Sequence, residues 1–163
     1  TGRPIPGYEL ELRDGELWVK GPSTCIGYWA DRTRSLSTFH GPWTRTGDRY
    51  AVDEDGRWVY EGRADDMLKV GGIWVSPFEV ESALASHECV LECAVVGHPD
   101  GDGLTKPRAF VVLQPGATVE VATLQAFVKS KLAPYKYPRW IEVLAELPKT
   151  ATGKIQRFKL RAT

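Results

Sequence analysis

Methionine, histidine and cysteine are scarce in this 163-residue chain, at one, three and three residues. No apolar run approaches the roughly 18 residues that cross a bilayer as a helix. Cys25, Cys89 and Cys93 are odd in number and lack the paired spacing of a zinc site, which argues against a disulfide framework and predicts free, buried thiols in a reducing cytoplasm. His40, His87 and His98 are scattered without metal-ligand spacing, so they predict surface or capping roles and no metal centre. Net charge is also lacking, because 21 basic and 21 acidic residues cancel. That balance disfavours the broad basic face of a nonspecific nucleic-acid binder. The opening Thr1-Gly2-Arg3-Pro4 carries no basic-then-apolar leader, and its start without Met raises the expectation that an upstream part has been cut away. What is present is a 42% apolar, 26% charged composition long enough for one domain or two small ones.

Two textures meet at about Gly62. Before it, Tyr8 to Leu12 and Glu16 to Lys20 alternate with period two around Asp14-Gly15, a hairpin signal, and Trp43 to Val52 faces Arg57 to Glu61 across Asp53-Glu54-Asp55-Gly56. Trp18, Trp43 and Trp58 in this β-rich part are expected to pack a core. After it, Ser76-Pro77-Phe78-Glu79 reads as a capping box with proline at the first helical position, and Val80, Ala83 and Leu84 continue an apolar stripe. Val90 to Val96, Arg108 to Leu113 and Arg139 to Leu144 predict buried strands. Leu124, Phe127, Val128 and Leu132 predict a helix that Pro134 stops, and Phe158 to Arg161 a short terminal helix. The fold class is therefore α+β, a β-rich first part followed by a small mixed domain with a short sheet and flanking helices.

Three places concentrate chemistry. The tract from Lys149 to Arg161 holds five basic residues and no acidic one, and Gly153 lets its loop bend sharply to offer Lys154 to an anion; a solvated basic tail is the plainer alternative. Gly62-Arg63-Ala64-Asp65-Asp66-Met67-Leu68-Lys69-Val70-Gly71-Gly72 crowds an arginine, two carboxylates and a lysine before two glycines, which suits either a ligand approach or a charged interdomain turn. Asp48, placed at a strand end, is suited to accept two ribose hydroxyls or to cap a turn. Tyr135, Lys136, Tyr137, Arg139 and Trp140 add aromatic faces and cations, fit for a nucleotide or for packing between a helix and a strand.

The order of these segments resembles the adenylate-forming superfamily of acyl-CoA synthetases, peptide-synthetase adenylation domains and luciferases. TRTGD at 44 to 48, GRADDMLKVGG at 62 to 72 followed by Glu79-Val80-Glu81, and PKTATGKIQR at 148 to 157 look like three late motifs of that family. The wording WVSPFEVE at 74 to 81 and APYKYPRW at 133 to 140 is most similar to benzoate-CoA ligases and related aryl-CoA ligases. The Ser/Thr/Gly-rich phosphate loop and the acyl pocket of the family are not found, so the resemblance implies a C-terminal portion. Residues 1–61 would be the last β-subdomain of the large N-terminal domain, 62–66 a hinge, and 67–163 the mobile C-terminal domain.

The resemblance implies a ligase that adenylates an aromatic carboxylate with ATP and passes the acyl group to coenzyme A, and it implies that this portion is inactive alone. Lys154 corresponds to the catalytic lysine of adenylation, Asp48 and Arg63 to nucleotide-binding residues, and Asp65 to the hinge. Lys69, Gly71, Gly72 and Tyr135 correspond to the thioester step with coenzyme A. Where some relatives place a phosphate-binding arginine two residues after Tyr135, this chain has Tyr137, with Arg139 or Lys136 as substitutes. Magnesium would accompany ATP, bound mainly by the N-terminal domain, and Lys154 would be open to a lysine acetyltransferase. The alternatives are a carrier-protein-loading adenylation domain and a non-enzymatic basic binding module.

Overall fold

The computed structural model describes residues 2–162, which divide into two compact units, one ending at Asp65 and the other beginning at Asp66. In the first unit, β1 (Glu9–Arg13) and β2 (Glu16–Lys20) form the expected hairpin in full register. Asp14 and Gly15 take positive φ of 52° and 77°, the left-handed pair that matches the right-handed twist of two strands joined by a two-residue loop. A helix follows that periodicity does not predict, α1 (Arg32–Thr38), capped by Asp31, whose carboxylate accepts from the Arg34 amide. It has no buried residue and so leaves no apolar stripe in the sequence.

The short β3 (Phe39–His40), the ten-residue β4 (Trp43–Val52) and β5 (Trp58–Arg63) complete an antiparallel sheet. β4 is its spine, pairing with β2, with β3 through Trp43 and Thr44, and with β5 from Asp48 to Val52. Leu17 is the only buried hydrophobic side chain described in this unit. Trp18, Trp43 and Trp58 are half-buried, contrary to expectation. Trp18 lies under the Arg13 guanidinium, 4.2 Å from ring centroid to Cζ, so cation–π contact replaces burial.

The second unit opens with β6 (Leu68–Val70) and β7 (Ile73–Val75), a two-stranded hairpin turned by Gly71 and Gly72 at φ of 57° and 87°. A Cβ at either glycine would meet nothing within 4 Å, so the turn conformation by itself requires them. Helix α2 (Pro77–Ala85) begins as the sequence predicts, with the Ser76 hydroxyl accepting from the Glu79 amide and Pro77 in the first turn. Replacing Ser76 by alanine is expected to lower stability by about 1 kcal/mol, read by urea unfolding, because it strands a helix-end donor.

Strands β8 (Val90–Pro99) and β9 (Thr105–Leu113) are antiparallel and extend three residues further than their apolar runs, into a hairpin tip. The chain returns through α3 (Val121–Lys131) to β10 (Trp140–Val143), which pairs parallel with β9, and ends in α4 (Arg157–Arg161). The sheet order β10-β9-β8 is buried on both faces, which is why β8 and β9 read as unbroken apolar runs. Cys93, Val95, Ala109, Val111 and Ile141 pack with α2 and α3. Ala94, Val96, Phe110 and Val112 pack with Leu147 and Leu160 on the opposite face. No helix among the described residues is long and apolar enough to cross a membrane.

Candidate functional site

In the first unit, Asp48 and Arg63 are cross-strand partners of β4 and β5, and Asp48 lies within β4, not at its end as the sequence suggests. Arg63 donates through Nη1 to Asp48 Oδ1 at 3.1 Å and to the Thr46 carbonyl at 3.2 Å, and through Nε to Asp65 Oδ1 at 3.2 Å. Burial works to lower the guanidinium, but Asp65 and Asp48 outweigh it, so Arg63 holds its proton more tightly than usual. The guanidinium lies across Gly47, where an added Cβ would stand 2.7 Å from Nη2 and where φ is +75°. Both facts make glycine the residue that fits there. Thr46 fixes the same bend, accepting from the Asp48 amide at 3.1 Å while donating to the Leu17 carbonyl at 2.8 Å.

Thr46, Gly47, Arg63 and Asp65 border an open cleft of about 470 Å³ that Arg34 and Arg45 also line; Asp48 stands behind Arg63 and is not part of the lining. Arg45 is not free to serve it fully, because its Nε and Nη2 each donate at 2.8 Å to the carboxylate of Glu16. Arg45 is a residue that sequence reasoning passed over as part of a motif. No pairing signal marks it, because Glu16 stands opposite Arg49 and Arg45 opposite Trp18, with a register shift between them.

In the second unit, Lys154 stands on a turn closed by its own backbone. The Thr150 amide donates to the Lys154 carbonyl at 2.8 Å, the Gly153 amide to the Thr150 carbonyl at 2.9 Å, and the Lys154 amide to Thr150 Oγ1 at 3.1 Å. Gly153 takes φ of +82°, the bend expected of it. The cations around Lys154 find partners within the unit: Lys149 with Glu92 at 2.7 Å, Arg157 with Glu81 at 2.9 Å, and Arg161 with Asp66. The Lys154 side chain is exposed and has no hydrogen bond or ion pair among the described residues. The basic tract is therefore matched mainly by its own fold, and the charge left over centres on one ammonium.

Lys69 is exposed on β6 with its Nζ 5.9 Å from the Trp74 ring centroid. Tyr135 is 40% exposed in a single 3-10 turn, Pro134–Lys136. Of the two suggested substitutes for a phosphate-binding arginine, Lys136 is occupied, its Nζ lying 2.6 and 2.7 Å from the Glu79 carboxylate oxygens. Arg139 is exposed, with Cζ 4.9 Å from the Tyr137 centroid, and Lys129 approaches the same ring at 4.0 Å. Asp65 is exposed as the last residue of the first unit.

The cysteines depart from expectation in one respect, since all three are free but Cys25 is exposed. Burial pushes the Cys93 thiol up to about 12. Thiol labelling of the native chain near neutral pH is expected to modify Cys25 quickly and leave Cys93 unreacted until unfolding, because the thiolate is the nucleophile. His87 caps locally, its Nδ1 accepting from the Cys89 amide at 3.2 Å.

Residues 79–154 match the family described as AMP-binding enzyme C-terminal domain. The chain is 56% identical to the benzoate–CoA ligase of Thauera aromatica, over 99% of this chain and 34% of that protein. It is 49% identical to the 4-hydroxybenzoate–CoA/benzoate–CoA ligase of Rhodopseudomonas palustris, over 99% and 33%. Among solved structures, a benzoate CoA ligase from Burkholderia xenovorans superposes with a TM-score of 0.90 at 53% identity, over 99% of this chain and 35% of that one. The anthranilate CoA ligase AuaEII in complex with anthranoyl-AMP gives 0.94 at 49% identity, over 99% and 34%. The chain thus spans about a third of the length of the curated relatives it matches.

Proposed function

Because this chain belongs to the adenylate-forming superfamily and carries its AMP-binding C-terminal domain, we propose that it is the C-terminal portion of an aryl-CoA ligase whose acid is benzoate or a close derivative. A carboxylate oxygen attacks the α-phosphorus of ATP and pyrophosphate leaves. The thiol sulfur of coenzyme A then attacks the acyl carbon, the thiol proton is lost and AMP leaves. The observation that carries the reading is the exposed, unpartnered Lys154 ammonium on a turn closed by its own hydrogen bonds. Negative charge develops on the transferring phosphoryl group, and a placed cation lowers that barrier electrostatically.

Asp48 accepts the ribose hydroxyls in this reading. A carboxylate has about four lone-pair positions, so accepting Arg63 through Oδ1 leaves room for two more donors. Arg63 reaches the ribose and phosphate region. Asp65 is the hinge about which the second unit turns between half-reactions, withdrawing Lys154 and presenting Lys69, Gly71 and Gly72 to the thiol-bearing arm. Tyr135, exposed on its short turn, offers a ring to the adenine of coenzyme A. Magnesium belongs with ATP on the upstream part, and a cytoplasmic location accompanies these substrates. Acetylation of the exposed Lys154 by an acetyltransferase would erase the charge that the first step uses.

The test is formation of benzoyl-CoA and AMP from ATP, magnesium, benzoate and coenzyme A by the longer polypeptide that contains this chain. Residues 1–163 alone are expected to release no pyrophosphate, since two thirds of the length of the relatives lies outside them. Absence of benzoate-dependent pyrophosphate release from the longer polypeptide would sink the aryl-ligase reading. Adenylation followed by transfer only to a carrier-protein thiol would establish the carrier-loading alternative.

A further inference from the structure

The turn that carries Lys154 is shaped by its own hydrogen bonds, but those bonds do not attach it to the rest of the unit. Attachment comes at its two stems, which meet at an isolated bridge between Lys149 and Ile155. The outgoing stem is held by Ile155, packed against the Leu147 and Leu160 cluster, and by Arg157, whose Nη2 lies 2.9 Å from both Glu81 oxygens. The incoming stem is held by buried Leu147 and by Lys149, whose Nζ lies 2.9 Å and 2.7 Å from the two oxygens of Glu92.

Glu92 occupies a particular place in β8. The register shifts between Val90 and Glu92, so Leu91 is an extra residue and the strand is bulged there. Bulges re-aim the side chains beside them. From Glu92 the alternation runs with Ala94 and Val96, the face that also carries Leu147 and α4. The bulge therefore puts a carboxylate on the sheet face that carries the stems of the Lys154 turn, in contact with Lys149, which is 57 residues away from it in sequence and stands five residues before Lys154.

We propose that Glu92 is a positioning residue for the Lys154 ammonium, acting through its ion pair with Lys149; this rests on the adenylation role given above to Lys154. The pair does not touch substrate. It narrows the range over which the incoming stem moves, and with it the range open to an ammonium that no other group restrains. Positional precision of a charge matters most in the step where charge develops. The thioester step, which does not use Lys154, is indifferent to the pair.

The pair is partly exposed, at 41% for Lys149 and 28% for Glu92, and such pairs act weakly. Glu92→Gln and Lys149→Met in the longer enzyme are each expected to slow acyl-adenylate formation by about two- to five-fold. Transfer from supplied acyl-adenylate to coenzyme A is expected to keep its rate, and the melting temperature to stay put. Amide hydrogen exchange at Thr150, Gly153 and Lys154 is expected to quicken by a similar factor, and the double exchange Glu92→Lys with Lys149→Glu to restore both readouts. Raised salt should reproduce the single-variant effect in the parent by screening the pair.

Unchanged exchange in both single variants overturns the proposal, as does an equal loss in the two half-reactions or a charge exchange that restores nothing. If the parent enzyme forms no acyl-adenylate, the aryl-ligase reading fails by itself, and the exchange measurements still decide whether Glu92 holds the turn.

Discussion

Replacing Lys154 by alanine in the longer enzyme is expected to slow acyl-adenylate formation by about a hundred- to a thousand-fold, the usual cost of removing one preorganised electrostatic contact to a transition state. Coenzyme A acylation from supplied benzoyl-adenylate should stay close to the parent rate, because phosphoryl charge is no longer being redistributed. The large effect expected of a single side chain follows from its surroundings. Lys149, Arg157 and Arg161 have carboxylate partners within the second unit, so none is free to replace the lost ammonium. Lys154 is exposed and carries no packing burden, so its removal should leave folding intact and the kinetic loss interpretable. Lys154→Arg keeps the charge on a planar group of different reach and is expected to recover only part of the rate. Measuring both half-reactions separately decides the matter, and an equal fall in the two would refute the assignment.

Much of this was legible in the sequence, for reasons that differ by element. The Asp14-Gly15 hairpin and the helix after Ser76 announce themselves because turn and cap chemistry are local: positive φ and a hydroxyl acceptor need only near neighbours. Strands β8 and β9 were visible as apolar runs because both faces of their sheet are buried. Helix α1 was hidden because it buries nothing, leaving Asp31 as its one local mark. The tryptophans differ from expectation because bulk suggests burial, whereas Trp18 is half-buried with the Arg13 guanidinium over its ring. Lys154 could be singled out from its glycine-bent loop, but its isolation could not. Partners such as Glu92 and Glu81 lie 57 and 76 residues from Lys149 and Arg157, and only the folded sheet brings them together. The same holds for Lys136, which looks available in sequence and is taken by Glu79.

Removing the other anchor of the Lys154 stem is expected to act on stability first. Glu81 is 9% exposed, and its Oε1 accepts the Val95 amide at 2.8 Å besides the Arg157 guanidinium. Arg157→Ala would leave that carboxylate buried without its cation, and breaking one side of such a pair costs about 3 kcal/mol or more. Burial pushes the Glu81 carboxyl above its ordinary value, against the downward pull of the Val95 amide and of Arg157. A carboxyl raised in the folded state binds protons more readily there than in the unfolded chain. Its contribution to stability is complete below the unfolded value and fades as pH rises through the folded one. Without Arg157 the folded value climbs further, so the deficit of the variant should be largest near neutral pH and shrink at acidic pH as Glu81 takes up a proton. Urea unfolding at neutral and at acidic pH measures this, and a deficit that grows on acidification would exclude a buried, stranded carboxylate. A double change, Glu81→Gln with Arg157→Met, removes both charges while keeping volume and an acceptor for the Val95 amide, and is expected to restore most of the stability that Arg157→Ala loses. Adenylation by that double variant should nevertheless stay below the parent, since apolar packing lacks the fixed direction of the two hydrogen bonds that hold the outgoing stem.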